Sequence, residues 1–196
     1  LRVLDVGTGI GLLPHYFHTL GYKSAGIDVS SEAITHGRDK FNLNTLQVEA
    51  IENFQPEEPY QVITNIQVIE HVPDPISFLE HIQRVLHSDG IFICTTIDSD
   101  SLIFALAKCF YQLSGKKFYQ PLERVCEIHH LHHFNQKSLA QALKQTQFKI
   151  VKRFAMNLPL SSLTLTLPQR VAVAGMYGLS YLLQSYFTQG VVSRKS

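Results

Sequence analysis

The run Leu1-Arg2-Val3-Leu4-Asp5-Val6-Gly7-Thr8-Gly9-Ile10-Gly11 decides how the chain folds. An apolar segment ends in glycines at alternate positions, and a helical spacing of Leu12, Leu13, Tyr16, Phe17 and Leu20 follows. The pattern predicts a buried strand that turns tightly into a helix whose first N–H groups lack intrahelical partners and face a ligand. So tight a turn needs positive φ, and backbone that a ligand lies against has no room for a Cβ; glycine meets both needs. A dinucleotide fingerprint reads G-x-G-x-x-G/A. Counted from Gly7, its third small position falls on Leu12, and the spacing here is G-x-G-x-G. Asp5, at the carboxyl end of the strand, can accept loop N–H groups or face a cationic ligand group. It would repel a pyrophosphate.

Composition narrows the classes. At 196 residues the chain can bury one full core and is too short for two domains of ordinary size. Seventeen basic against sixteen acidic residues give a formal charge of +1, so no nucleic-acid footprint is expected. Charged residues make up 17%, against roughly 25% in a typical soluble domain, so part of the surface is apolar. Cys94, Cys109 and Cys126 show no C-x-x-C spacing. An odd thiol count in an α/β pattern favours reduced thiols and a cytoplasmic setting. The chain opens in a core strand, without the basic n-region of a signal peptide.

Asp5-Val6-Gly7-Thr8-Gly9-Ile10-Gly11 resembles motif I of the class I S-adenosylmethionine-dependent methyltransferases, a strand followed by D/E-x-G-x-G-x-G. Gln67-Val68-Ile69-Glu70-His71-Val72-Pro73-Asp74-Pro75 is similar to the family's "LEHVPDP" segment, and Arg84-Val85-Leu86 with Asp89-Gly90 to its "RvLkpGG". The resemblance runs over roughly residues 1–154, with a distant likeness to the polyprenyl-quinone O-methylases. It implies S-adenosyl-L-methionine as cofactor, cradled by Asp5, Gly7, Thr8, Gly9 and Gly11. Asp28, with Val29, would take the ribose diol beyond the second strand (22–29), where ligands of open parallel sheets bind. Glu49 and Ala50 would meet the adenine amino group. Asn65 and Ile66 would underlie the methionine moiety, with Gln67 toward the methyl-transfer end. The cofactor offers an ammonium, a carboxylate, a ribose diol and a sulfonium, which suit a carboxylate beside bare backbone. The competing readings are a carboxylate at a helix N-terminus for Asp28 and a solvated side chain for Glu49.

The acceptor side is read from histidines. The polyprenyl-quinone relatives join the Glu-His pair with an acid three residues earlier to hold a divalent cation. That position is Gln67, and an amide substitutes poorly for a carboxylate on a hard cation, so no metal is expected. His71, beside Glu70, suits a general base; the plainer reading has both side chains ordering the loop. His129, His130, His132 and His133 invite zinc, but structural sites want convergent, more widely spaced ligands, and neighbours in an extended segment point apart. His133-Phe134-Asn135-Gln136-Lys137-Ser138-Leu139 is similar to the family's "H…hFs…sL" stretch. The candidate catalytic set is therefore His71, Glu70 and His133, with His129 or His130 as other candidates near the acceptor.

The remaining pattern predicts strands at 46–49, 60–66, 91–96, 148–154 and 191–195 and helices at 76–86, 102–113 and 138–147. Ser30 is the expected N-cap of a helix after the second strand. Residues 156–190 form a mainly helical, apolar insertion. Its 171–187 segment is shorter than the roughly 20 residues that span a bilayer, leaving a domain-covering helix, a membrane-resting helix or a true span as readings. Together with 102–113 it suggests a hydrophobic wall over the acceptor site. The expected architecture is one α/β domain over 1–196, a Rossmann-like three-layer sandwich with a seven-stranded, mostly parallel sheet and an antiparallel last strand. The family usually places helical residues before the first strand, so a preceding segment is expected. The resemblance implies methyl transfer to a small-molecule or lipophilic acceptor, with peripheral membrane contact through 171–187. Two alternatives stay open: a nicotinamide-dependent oxidoreductase, disfavoured by Leu12, and a binding domain that keeps the fold without catalysis.

Overall fold

A computed structural model describes residues 1–117, 119, 123, 129–157 and 167–196. Strands β1 (Arg2–Val6), β2 (Lys23–Asp28), β3 (Leu46–Val48), β4 (Tyr60–Ile66), β5 (Leu86–Ile97), β6 (Phe148–Met156) and β7 (Thr188–Lys195) form one sheet in the order β3-β2-β1-β4-β5-β7-β6. Every pairing from β3 across to β5 is parallel, while β7 runs antiparallel to both β5 and β6. This is the expected Rossmann-like α/β sandwich with its last strand reversed. The order reverses between β1 and β4, which puts a crevice at their carboxyl ends.

The helices are α1 (Leu12–Thr19), α2 (Ser31–Phe41), α3 (Pro75–Val85), α4 (Leu102–Leu113), α5 (Gln136–Gln145) and α6 (Leu167–Leu182). Short polar side chains start several of them. The Ser30 hydroxyl accepts from the Ala33 N–H at 3.2 Å, and Asp74 accepts from Ile76 and Ser77 N–H groups, with Pro75 in the first turn. Asn135 and Ser138 form a reciprocal capping box on α5. Each such cap contributes about 1 kcal/mol.

Strand β1 buries Val3, Leu4 and Val6, and Ile63, Phe92 and Cys94 continue the same core across β4 and β5. Central strands covered on both faces read as continuous apolar runs for this reason. From α3, Phe78, Leu79 and Ile82 enter the core, and Leu139 and Leu143 do so from α5. A smaller cluster of Ile34, Leu43 and Leu46 seats α2 against β3.

Three boundaries differ from expectation. β5 begins at Leu86 rather than 91, because Leu86 already pairs with Tyr60 and a bulge absorbs the residues before Ile91 pairs with Val62. Asn135, rather than a later residue, starts α5, because its side chain takes the first free N–H groups. The apolar helix lies at Leu167–Leu182 rather than 171–187. Beyond it the chain turns at Gln184 (φ 50°), and Ser185 is fastened to α4 through its hydroxyl, which accepts the Leu102 N–H at 2.7 Å. Among the described residues, no helix is long and apolar enough to cross a membrane. α4 and α6 touch, and Phe110, Leu113, Val171 and Leu182 are exposed.

Candidate functional site

The glycine turn is pinned onto the end of β2. The N–H groups of Gly7 and Thr8 both donate to the Ile27 carbonyl, at 2.9 and 3.1 Å. Gly7, Gly9 and Gly11 all adopt left-handed backbone, with φ of 75°, 56° and 79°. Two of them do distinct work. A Cβ at Gly7 would collide with the Val68 side chain, so the loop after β4 closes one side of the turn. A Cβ at Gly9 would meet nothing within 4 Å. Gly9 therefore offers an open backbone face at the start of α1, where donor N–H groups favour a polar ligand.

Asp28 stands beside that face. Its Oδ2 accepts the Gly9 N–H at 2.7 Å and its Oδ1 the Ser30 N–H at 2.8 Å. Each carboxylate oxygen keeps a second lone pair, so Asp28 is oriented by the chain and can still take outside donors. The Glu49 N–H donates to the Asp28 carbonyl at 3.0 Å, and the Ala50 N–H to Glu49 Oε1 at 3.2 Å. Glu49 and Ala50 thus border the same edge, half-buried. Val29 is exposed, while Thr8 is buried against Gly26 of β2.

Asp5 lies beneath the turn, 5% exposed, and its Oδ1 accepts the Thr64 hydroxyl at 2.6 Å. The β1–β4 register sets Asp5 opposite Thr64. Burial pushes its carboxyl from the ordinary 3.8 up to about 6; hydrogen bonding pulls it partly back, and the nearby Asp28 charge adds to the rise. Such a carboxylate is a strong partner for a cationic group that reaches it. Asn65 is wholly buried, its amide donating to the Val6 carbonyl at 3.1 Å and its Oδ1 accepting the Cys94 thiol at 3.7 Å. It ties the ends of β1, β4 and β5 together. Ile66 emerges half-exposed, and Gln67 turns the chain with φ 57°, its amide reaching the Thr95 hydroxyl at 3.5 Å.

The loop that follows carries the second cluster. The N–H groups of Leu131 and His132 donate to the Glu70 carbonyl at 2.8 and 3.1 Å, and a ring nitrogen of His132 lies 3.3 Å from the Pro73 carbonyl. Residues 129–132 are thereby laid along 70–73. His71 Nδ1 is 3.0 Å from the His129 carbonyl. A carbonyl cannot donate, so Nδ1 carries a proton, and in the neutral ring that leaves the lone pair on Nε2. Glu70 is buried, and one donor atom each of Glu70, His71 and His130 lie within 4.8 Å of one another. His133 is exposed, with its ring edge-on to Phe104 at 5.7 Å and 6.3 Å from His130.

The chain brings the expected residues into two groups, Asp5, the glycines, Asp28, Glu49 and Ala50 in one and Glu70 and His71 in the other. Val68 packing on Gly7 joins them. Sequence reasoning missed Thr64, Val68 and the closeness of His130 to Glu70; strand register could have suggested Thr64, since parallel neighbours share a level. A cavity of about 500 Å³, lined by Arg2, His18, Tyr22, Lys23, Thr45 and Tyr60, lies at the amino ends of the strands, away from the switch point.

Comparison with known proteins agrees with this geometry. A family model described as "Methyltransferase domain" matches residues 1–153. A ubiquinone biosynthesis O-methyltransferase of Ruegeria sp. (strain TM1040) is 33% identical over 112 residues, covering 55% of this chain and 45% of that protein. The chain thus spans less than half the length of the curated relatives it matches. Among solved structures, a putative S-adenosylmethionine-dependent methyltransferase from Listeria monocytogenes aligns with TM-score 0.68 at 17% identity, covering 100% of this chain and 91% of that one. Magnesium protoporphyrin IX methyltransferase from Synechocystis PCC 6803, crystallised with bound SAH, aligns with TM-score 0.67 at 15% identity, over 99% and 74%. At these identities the structural matches speak for the fold.

Proposed function

This chain belongs to the methyltransferase-domain family, and from that premise we propose that it is a single methyltransferase domain that binds S-adenosyl-L-methionine and methylates a small-molecule or lipid-like acceptor. The observation that carries the reading is Asp28: its carboxylate is held by the Gly9 N–H at 2.7 Å, beside a backbone face where a Cβ would meet nothing. That arrangement suits a ribose diol, whose hydroxyls donate to the carboxylate while the sugar lies against bare backbone. The ammonium is assigned to the buried Asp5 end of the turn, with Thr8 and Gly11 shaping the cradle. The adenine edge is assigned to Glu49, Ala50 and Val29, and the floor to Asn65 and Ile66. When bound, the cofactor supplies an electrophilic methyl group on its sulfonium sulfur.

The chain's share of the chemistry is proximity and alignment. His71, through Nε2, would take the acceptor's proton, while the cofactor would supply the methyl group from its sulfonium. Glu70 steadies the charge that His71 gains, and His133 flanks the acceptor. The apolar surface of α4, which follows β5, and of α6, in the insertion between β6 and β7, forms the acceptor-side wall. A cytoplasmic protein whose 171–187 segment rests on a membrane surface fits that exposed apolar face and a lipophilic acceptor. A ubiquinone-precursor relative and a porphyrin methyltransferase neighbour are in keeping with small, greasy acceptors. The charge balance offers no basic footprint for nucleic acid.

The test incubates the protein with methyl-labelled S-adenosylmethionine and a fractionated cell extract. Label entering the organic phase is expected. Label in neither phase, with no calorimetric heat from the cofactor or its demethylated product, overturns the reading.

A further inference from the structure

We propose that Glu70, His71 and His130 form a site for a borderline divalent metal ion such as Zn²⁺, which fastens the histidine segment to the loop after β4. The inference does not rest on the methyl-transfer reading. The hard-cation site implied by the quinone O-methylase resemblance does not fit these residues. It needs a carboxylate at position 67, where this chain has a neutral amide whose nitrogen faces the Thr95 hydroxyl at 3.5 Å. Magnesium and calcium demand sets of oxygen ligands. The donors that converge here are one carboxylate and two imidazoles, a set that selects zinc and its neighbours.

Three independent observations support the site. First, among the described residues, Glu70, His71 and His130 are the His/Cys/Asp/Glu group whose donor atoms gather within 4.8 Å. Ligands on a tetrahedral zinc stand about 3.3–3.5 Å apart, given bonds of about 2.0–2.1 Å. Starting from 4.8 Å, the donor atoms would need to draw together by up to about 1.5 Å, within reach of side-chain rotation. Second, His71 donates its Nδ1 proton to the His129 carbonyl at 3.0 Å. Ligating histidines characteristically give their other ring N–H to a carbonyl or carboxylate, which fixes the tautomer and aims the lone pair. Third, the sequence separation between His71 and His130 is bridged by backbone bonds from Leu131 and His132 to the Glu70 carbonyl. His130 is therefore delivered by the fold rather than by a chance side-chain approach. The His71 and His130 rings already sit 4.7 Å apart, edge to face.

A metal on His71 Nε2 takes the lone pair that would otherwise accept a proton, so the loaded chain relies on another base. Three protein ligands also leave a coordination position open.

The test uses the tag-free chain. Co²⁺ is titrated while ligand-field absorption is recorded, then displaced with Zn²⁺, and Zn²⁺ binding is measured by calorimetry. One equivalent of Zn²⁺ should bind and raise the melting temperature, and millimolar Mg²⁺ should not displace it. His130→Ala should weaken Zn²⁺ binding by roughly 100-fold or more and abolish the melting shift, while circular dichroism stays that of the parent. His133→Ala should keep both. Unchanged Zn²⁺ affinity in His130→Ala, displacement by Mg²⁺, absence of binding at micromolar Zn²⁺, or loss of the site in His133→Ala instead would each overturn the proposal.

Discussion

Replacing Asp5 by asparagine should make the ligand-free chain more stable and a poorer binder. Asp5 is 5% exposed, and its carboxyl sits at about 6 instead of 3.8. At about 1.4 kcal/mol per tenfold change in proton affinity, keeping it ionised at neutral pH costs the fold about 3 kcal/mol. The native state holds this proton up to about pH 6 and the unfolded chain releases it near 3.8. Its stabilising contribution is therefore complete below about pH 4 and is lost as pH rises through 6. Asparagine keeps an oxygen for the Thr64 hydroxyl, bonded at 2.6 Å in the parent, and carries no charge. Its new amide N–H groups need partners, which lowers the net gain to about 2 kcal/mol. In urea denaturation at pH 7.5 the midpoint should rise by about 1 M, for a slope of about 2 kcal/mol per molar. At pH 4 the two chains should nearly coincide. A stability difference that is the same at both pH values would refute the argument. So would a variant that binds S-adenosylmethionine as tightly as the parent.

Asp28→Ala removes the acceptor of the Gly9 and Ser30 N–H groups and should weaken cofactor binding by about tenfold or more in calorimetry. Gly9→Ala and Gly7→Ala should separate binding from folding. At Gly9 the added Cβ meets nothing, so the cost is about 1 kcal/mol of left-handed strain and binding is the property lost. At Gly7 it strikes Val68 as well, and the melting temperature should fall by about 5 °C or more. Asn135→Ala dissolves the α5 capping box and should cost about 1 kcal/mol in denaturant unfolding without altering cofactor affinity.

The turn was legible because Gly7, Gly9 and Gly11 have local reasons to be glycine, and β1 because a centrally buried strand must be apolar almost throughout. Asp28 was legible from its place at a strand end beside the switch point. The helix start at Ser30 followed from local capping chemistry, and the helix near residue 76 from its apolar spacing. What stayed hidden depends on contacts distant in sequence. Nothing near Gly7 announces that Val68 fills the space its side chain would need. Adjacency suggests that the histidines point apart, yet the His130 and His133 rings meet edge-on at 6.3 Å. His130, however, meets Glu70 and His71 from another part of the chain, through backbone bonds that no periodicity encodes. The early start of β5 was likewise hidden, because His87-Ser88-Asp89-Gly90 has the composition of a loop and forms the bulge between the Leu86–Tyr60 and Ile91–Val62 pairs.

Val68 occupies the space into which a Cβ at Gly7 would project, so the proposed nucleoside cradle and the proposed acceptor loop share one wall. In the proposed reaction two reactants meet within ångströms for a methyl group to pass between them, and this shared partition would set their separation before either arrives. A bulkier residue at 68 would shift both halves at once, so it should register as misalignment of the reacting pair rather than as weakened grip on one of them.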